Sequence, residues 1–223
     1  MGERSINELC GELLEKRALI EAGGGQKAVD FYKAFGVKYI TVPYYQPEHF
    51  ATAEERALTL KKFRQVYDLL KANGMEMQYH NHDFEFMKVE GDKLAIDWLY
   101  DEMPGLCPQL DTGWVKYAGA DPVEYINKYA KRMHTIHIKD FTAKKLANGP
   151  VYDLIGIESC PTKEDNGFRY KPLGAGIQDF DAMFKAIDNT DIECLIVEQD
   201  ENYDVPSLVN AEISRKYLQT KGL

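Results

Sequence analysis

Apolar, strand-like runs alternate with helical segments along this chain, and four of the runs close on residues able to ligate a metal or move a proton. MEMQYHNH ends on His80 and His82, and LCPQLD ends on Asp111. HTIHIKD carries His137, Lys139 and Asp140, and IECLIVEQD carries Glu198. Strands that alternate with helices predict an α/β fold of parallel strands joined by right-handed crossovers. In such folds the carboxyl ends of the strands share one rim, where functional groups sit. Residues distant in sequence therefore converge there. The pattern points to a metal-assisted enzyme more than to a binding module.

Local signals place the elements. Ser5 and Glu8 form a capping box before a first helix, which stops by Gly23–Gly25. A second helix is expected from Gln26 to Phe35, ended by Gly36. VKYITV reads as a strand closed by Pro43. Thr52 and Glu55 form another capping box, and Leu58, Phe63, Val66, Leu69 and Leu70 carry near-helical spacing up to Gly74. LAIDWLYDEM, the segment opened by Asp121 and Pro122, FDAMFKAID after Asp179, and PSLVNAEISRKYLQT supply further helices. The connection from Phe141 to Ile177 is long and rich in Gly, Pro and charge. It is expected to close over a substrate, with Arg169 and Lys171 facing solvent or an anionic group.

Charge and motifs exclude several classes. Acidic side chains outnumber basic ones 36 to 27, a net charge of −9, and no basic stripe interrupts them. Nucleic-acid binding by phosphate neutralisation is disfavoured accordingly. No G-x-G-x-x-G follows a strand and no phosphate-binding P-loop is present. Gly23–Gly25 reads as a helix stop. The four cysteines, Cys10, Cys107, Cys160 and Cys194, form no C-x-x-C pair. They read as reduced thiols of a cytoplasmic protein, with Cys107 and Cys194 inside apolar runs as small hydrophobes. The N-terminus has no apolar signal core, and no apolar run is long enough to span a bilayer.

YHNHDFEF (Tyr79–Phe86), QLDTGWVKYAGADPVEYI from Gln109, HIKDF (His137–Phe141), PLGAGIQDF from Pro172 and LIVEQDE up to Glu201 together resemble the sugar phosphate isomerase/epimerase family. Its members have the xylose isomerase-like TIM barrel. The resemblance runs from about Gly36 to the C-terminus. It implies a single domain over 1–223 with a TIM (β/α)8-type barrel. Only five strands are convincing, where a closed barrel needs eight. The expectation is therefore a barrel incomplete at its N-terminus, with 1–35 an atypical helical segment. Exposed strand edges then imply a homodimer or larger homo-oligomer.

The same resemblance implies one divalent metal, held by Glu, Asp, His and Glu at four strand ends. Asp111, His137 and Glu198 match the last three positions, and His80 stands at the first, where many relatives have glutamate. Mixed N/O ligands favour Mn or Zn, with Mg or Co also compatible. The implied activity is isomerisation or epimerisation of a sugar, sugar phosphate or keto-sugar through an enediolate. Epimerases of the family use two metal-bound glutamates as opposed bases, so His80 leaves room for a dehydratase or lyase on a keto-sugar. A non-catalytic sugar-binding subunit is a third reading. Glu198 is the expected base, His80 a second proton carrier and Lys139 a contact for an oxyanion. His82, Glu85, Trp114 and Lys139 are expected near the carbohydrate, with Glu85 and Asp140 orienting the histidines. His49 lies on the active rim, within reach of a substrate; Trp114 and Tyr117 either stack on a sugar or pack in the core or rim; and His134, at the other end of its strand, reads as structural. Neither nucleic acid nor membrane is an expected partner.

Overall fold

The computed structural model describes residues 25–142, 168–203 and 205–223. The helix expected after Ser5, Gly23 and Gly24 of its glycine stop, Cys10, Cys160 and most of the long connection lie outside them, while Gly25 opens the first described helix. The first described helix, α1 (Gly25–Ala34), ends where Gly36 adopts φ 69°, a conformation open to glycine without strain. It is followed by β1 (Tyr39–Val42), the single turn α2 (Glu48–Ala51) and the long α3 (Ala53–Ala72). The Thr52 hydroxyl accepts the Glu55 N–H at 3.1 Å, as the capping box predicts. Next come β2 (Glu76–His80), a 3-10 turn (Phe84–Phe86), the hairpin β3 (Lys88–Glu90) and β4 (Lys93–Leu94), and α4 (Ala95–Glu102). The unit repeats with β5 (Cys107–Asp111), α5 (Thr112–Tyr117), α6 (Pro122–Lys128) and β6 (Thr135–Ile138). Asp121 and Asp179 cap their helices through Val123 N and Ala182 N. The chain closes with β7 (Asp140–Phe141), β8 (Tyr170–Lys171), α7 (Phe180–Ile187), β9 (Cys194–Val197) and α8 (Ser207–Thr220).

Five strands form one parallel sheet in the order β1-β2-β5-β6-β9, the five legible in the sequence. Its outer face is apolar. Met77, Tyr79, Leu110, Ile136 and Ile138 join Leu60, Phe63 and Leu70 of α3, Ile96 and Leu99 of α4, Ile126 of α6 and Phe180 and Met183 of α7 in one buried cluster. Each such side chain contributes about 1.5–3 kcal/mol by leaving water, which holds the helices against the sheet. The inner face is polar. Thr41 and Thr135 donate to Gln78 Oε1 at 3.1 and 3.0 Å, and Gln109 donates to Gln78 and Thr135 at 3.3 and 2.8 Å. Side chains alternate along a strand. The next inward residues after Gln78, Gln109 and Thr135 are therefore His80, Asp111 and His137, so the amide layer is the floor of the rim site. The sheet curls enough that, at the other end, the Tyr39 hydroxyl of β1 donates to Glu193, just before β9, at 2.9 Å, although β1 and β9 do not pair. This is a curled half-barrel with outer helices.

Three local expectations change. Leu58 is half exposed, because α3 turns that position away from the sheet. Cys194 is exposed and not a buried small hydrophobe, because β9 is an edge strand. The six-residue α5, the β3–β4 hairpin and the short β7–β8 pair are not visible in the periodicity. Among the described residues no helix is long and apolar enough to cross a membrane.

Candidate metal centre

Asp111 ends β5 and caps α5. Its Oδ1 accepts Gly113 N and Trp114 N at 2.8 and 3.1 Å. Its Oδ2 is buried and has no hydrogen-bond partner among the described residues. That oxygen lies 3.7 Å from His80 Nε2 and 3.2 Å from Lys139 Nζ. His137, paired in register with Asp111 on the neighbouring strand, holds Glu198 Oε2 at 2.8 Å through Nδ1. The His80 and His137 rings are 4.5 Å apart. Ligand-type atoms of His80, Asp111, His137 and Glu198 all fall within 4.8 Å of one another. The structure thus brings together all four residues expected at the metal.

This set fits a divalent cation. Bonds of about 2.0–2.2 Å put neighbouring ligand atoms about 3 Å apart, close to the separations observed. Lys139 Nζ also lies 3.2 Å from Glu198 Oε2 and 2.8 Å from Asp200 Oδ2. Three carboxylates therefore share one ammonium, leaving two negative charges, the charge of one divalent ion. Burial pushes the Asp111 carboxyl up, against the pull of Lys139. Burial also opposes ionisation of Glu198, but the hydrogen bond from His137 and the Lys139 charge prevail and hold it well below the usual carboxylate range. Lys139 itself is drawn to high pKa by Asp111, Asp200 and Glu198 in spite of burial.

The remaining expected residues surround this cluster. His82 is buried, 5.1 Å from the His80 ring and 5.5 Å from Trp114. Burial and the nearby Lys139 push its imidazole down to about 3, so it is neutral near pH 7. Trp114 is buried beneath the Lys139 ammonium, 4.8 Å from its ring centre, in a packing position and not an open stacking face. Tyr117 packs against Trp114 and Phe168. Glu85 is fully buried, accepting His82 N at 2.8 Å and meeting the Tyr79 hydroxyl, so it orients the backbone of the histidine and not a ligand ring. Asp140 turns away from the histidines and accepts N–H groups of Gly174, Gly176 and Gln178, tying the PLGAG loop to the rim. His49 faces Glu55 and stacks near Tyr45, outside the cluster. Arg169 lies over Tyr203, 5.0 Å from its ring centre.

Three contributors were missed in the sequence. Asn81 bridges strand ends, its Oδ1 accepting Asp111 N at 2.9 Å and its Nδ2 donating to His82 O at 3.2 Å. It sits between the two histidines of YHNH, which was its only signal. Asp200, the partner of Lys139, lies two residues past Glu198 in the segment that follows β9. Gln178 donates to Thr112 O and Lys139 O at 3.0 and 3.2 Å. Gly113 is required by proximity: a Cβ there would lie 2.8 Å from Lys139 Cβ.

A curled parallel sheet with ligand residues on its carboxyl rim defines an α/β-barrel enzyme class. The chain belongs to the xylose isomerase-like TIM-barrel family, whose sequence model matches residues 24–220. It is 27% identical over 209 residues to an inosose dehydratase of Clostridium perfringens, covering 86% of this chain and 68% of the relative. Among solved structures it resembles a sugar phosphate isomerase/epimerase of Parabacteroides distasonis at 22% identity, with a TM-score of 0.63, over 86% of this chain and 61% of that one. It also resembles the IolI protein, described with a bound zinc atom, at 14% identity and a TM-score of 0.57, over 97% of this chain and 70% of that one. The chain thus spans about two thirds of the length of these proteins.

Proposed function

We propose that this protein is a divalent-metal-dependent dehydratase acting on a polyhydroxylated ketone of the inosose class. The observation that carries the reading is the four-residue cluster with a neutral imidazole, His82, beside it and outside the ligand set. The similarity to inosose dehydratases supports dehydration over the isomerisation that the sequence placed first. His80, Asp111, His137 and Glu198 would hold Mn or Zn. When bound, the ion supplies Lewis acidity to the ketone oxygen, which acidifies the neighbouring C–H.

The protein's residues do the rest. Glu198, tied to His137 and Lys139, is kept ionised and suits holding a cation better than moving protons. His82, with His80 behind it, holds the proton from the carbon beside the carbonyl only in transit, because burial keeps its imidazole a weak base. The C–H electron pair becomes a C=C bond as the hydroxyl on the next carbon departs. The imidazole returns its proton to that hydroxyl, so water leaves and the ring ends neutral. Lys139 positions the three carboxylates. Its side chain is 2% exposed and its ammonium is committed to them, so it does not reach for substrate.

A second reading is isomerisation. The same proton abstraction precedes it, with the proton returned to carbon. Among the described residues β1 and β9 are the sheet edges, and we infer that a second copy of the chain covers them.

The test is incubation of the protein with Mn²⁺ and an inosose, with products followed by NMR and metal content by elemental analysis. Loss of water, abolished together with metal binding in Asp111→Ala, supports the proposal. An isomeric product supports the second reading. Bound metal without turnover of any keto-polyol leaves a sugar-binding subunit, and absence of metal from the loaded protein overturns the metal-dependent reading.

A further inference from the structure

We propose that the opposite rim of the sheet carries a second, separate site for a zinc-class divalent cation, built by Glu76, Cys107 and His134. Glu76 opens β2, Cys107 opens β5 and His134 immediately precedes β6, so three neighbouring parallel strands each supply one ligand at their amino ends. His80 lies four residues along β2 from Glu76, about 13 Å at 3.3 Å per residue, which separates this site from the centre above.

The three ligand atoms lie within 4.8 Å of one another. Glu76 Oε2 is 3.0 Å from His134 Nε2 and 3.5 Å from Cys107 Sγ. A tetrahedral ion with bonds of about 2.0 Å to O and N and about 2.3 Å to S sets these edges at about 3.3 and 3.5 Å. Two of the three edges therefore need almost no adjustment. The His134 ring is held by stacking on Tyr39, 4.9 Å between centres and 17° from parallel. Its backbone carbonyl accepts N–H groups of Glu193 and Cys194, which anchors the ligand to β9. Thiolate, imidazole and carboxylate together select zinc or cobalt over magnesium or calcium. The Glu76 and His134 side chains are 44% and 22% exposed, so the ion has an entry path and a fourth position open to water.

The donor chemistry separates this site experimentally from the rim cluster, which contains no sulfur. Titration of the purified protein with Co²⁺ is expected to produce a sulfur-to-cobalt charge-transfer band, which saturates at one equivalent in Asp111→Ala, where the rim cluster no longer competes for cobalt. The band should persist in Asp111→Ala and in Cys194→Ser and vanish in Cys107→Ser. In His134→Gln, a partly exposed position where misfolding is not expected, half-saturation should move to at least about tenfold higher cobalt. No band in the unaltered protein, a band surviving Cys107→Ser, or an unchanged half-saturation in His134→Gln would each overturn the proposal. None of these outcomes bears on dehydration at the other rim.

Discussion

Asp111 shows how much one residue carries: its Oδ1 starts a helix while its Oδ2 faces the ligand cluster without a hydrogen bond. Lys139 balances that charge. Lys139→Met leaves Asp111, Glu198 and Asp200 facing one another, and removal of one partner of a buried charge group costs about 3–5 kcal/mol. Urea denaturation should show that loss, and added Mn²⁺ should restore more stability to the variant than to the unaltered protein; equal restoration would refute the charge argument. Glu85 gives a pH prediction. Burial raises its carboxyl to about 8, so the folded protein keeps a proton that the unfolded chain releases above its ordinary value near 4.5. Its contribution to stability is therefore present at low pH and is lost as pH rises toward 8, by at most about 1.4 kcal/mol per pH unit. Glu85→Gln keeps an acceptor for His82 N and should flatten this slope in melting curves between pH 5 and 8. The four ligand candidates were legible as chemically distinctive residues ending apolar runs. The role of Lys139 was not, because its partner Asp200 comes from a different strand end.

At the scale of elements, Asn81 links β2 to β5. Asn81→Ala removes the acceptor for the buried Asp111 N–H, at a cost of about 1–3 kcal/mol, and with it the side-chain tie between Asp111 and the end of β2. Metal affinity should fall about 10–100-fold, as for other residues that orient ligands, measured by isothermal titration with Mn²⁺. Unchanged affinity would assign Asn81 to folding alone. The helices α3, α6 and α7 were readable because their caps at Thr52, Asp121 and Asp179 are local and sit beside periodic apolar residues. The short α5 was not. Its six residues cannot display a helical period, and it exists because Asp111 caps it and because Trp114, Val115 and Tyr117 are buried. The β3–β4 hairpin and the β7–β8 pair, with strands of two or three residues, escaped for the same reason.

Across the whole molecule, the apolar outer face and the polar inner face make the five strands one sheet with two edges. Val197 on the β9 edge is 40% exposed. Sedimentation should report a dimer, and Val197→Lys should shift it to monomer, since a charge on an edge strand opposes pairing. A dimer insensitive to that change would place the contact elsewhere. The alternation of strands and helices and the ligand types at strand ends were determined by the sequence, because hydrophobic period and capping act over a few residues. The pairing of His137 with Glu198, the enclosure of Lys139 by three carboxylates and the gathering of Glu76, Cys107 and His134 at the far rim were decided only by the tertiary structure. Strand register and sheet curl set which side chains meet, and both arise from contacts between residues that no local pattern connects.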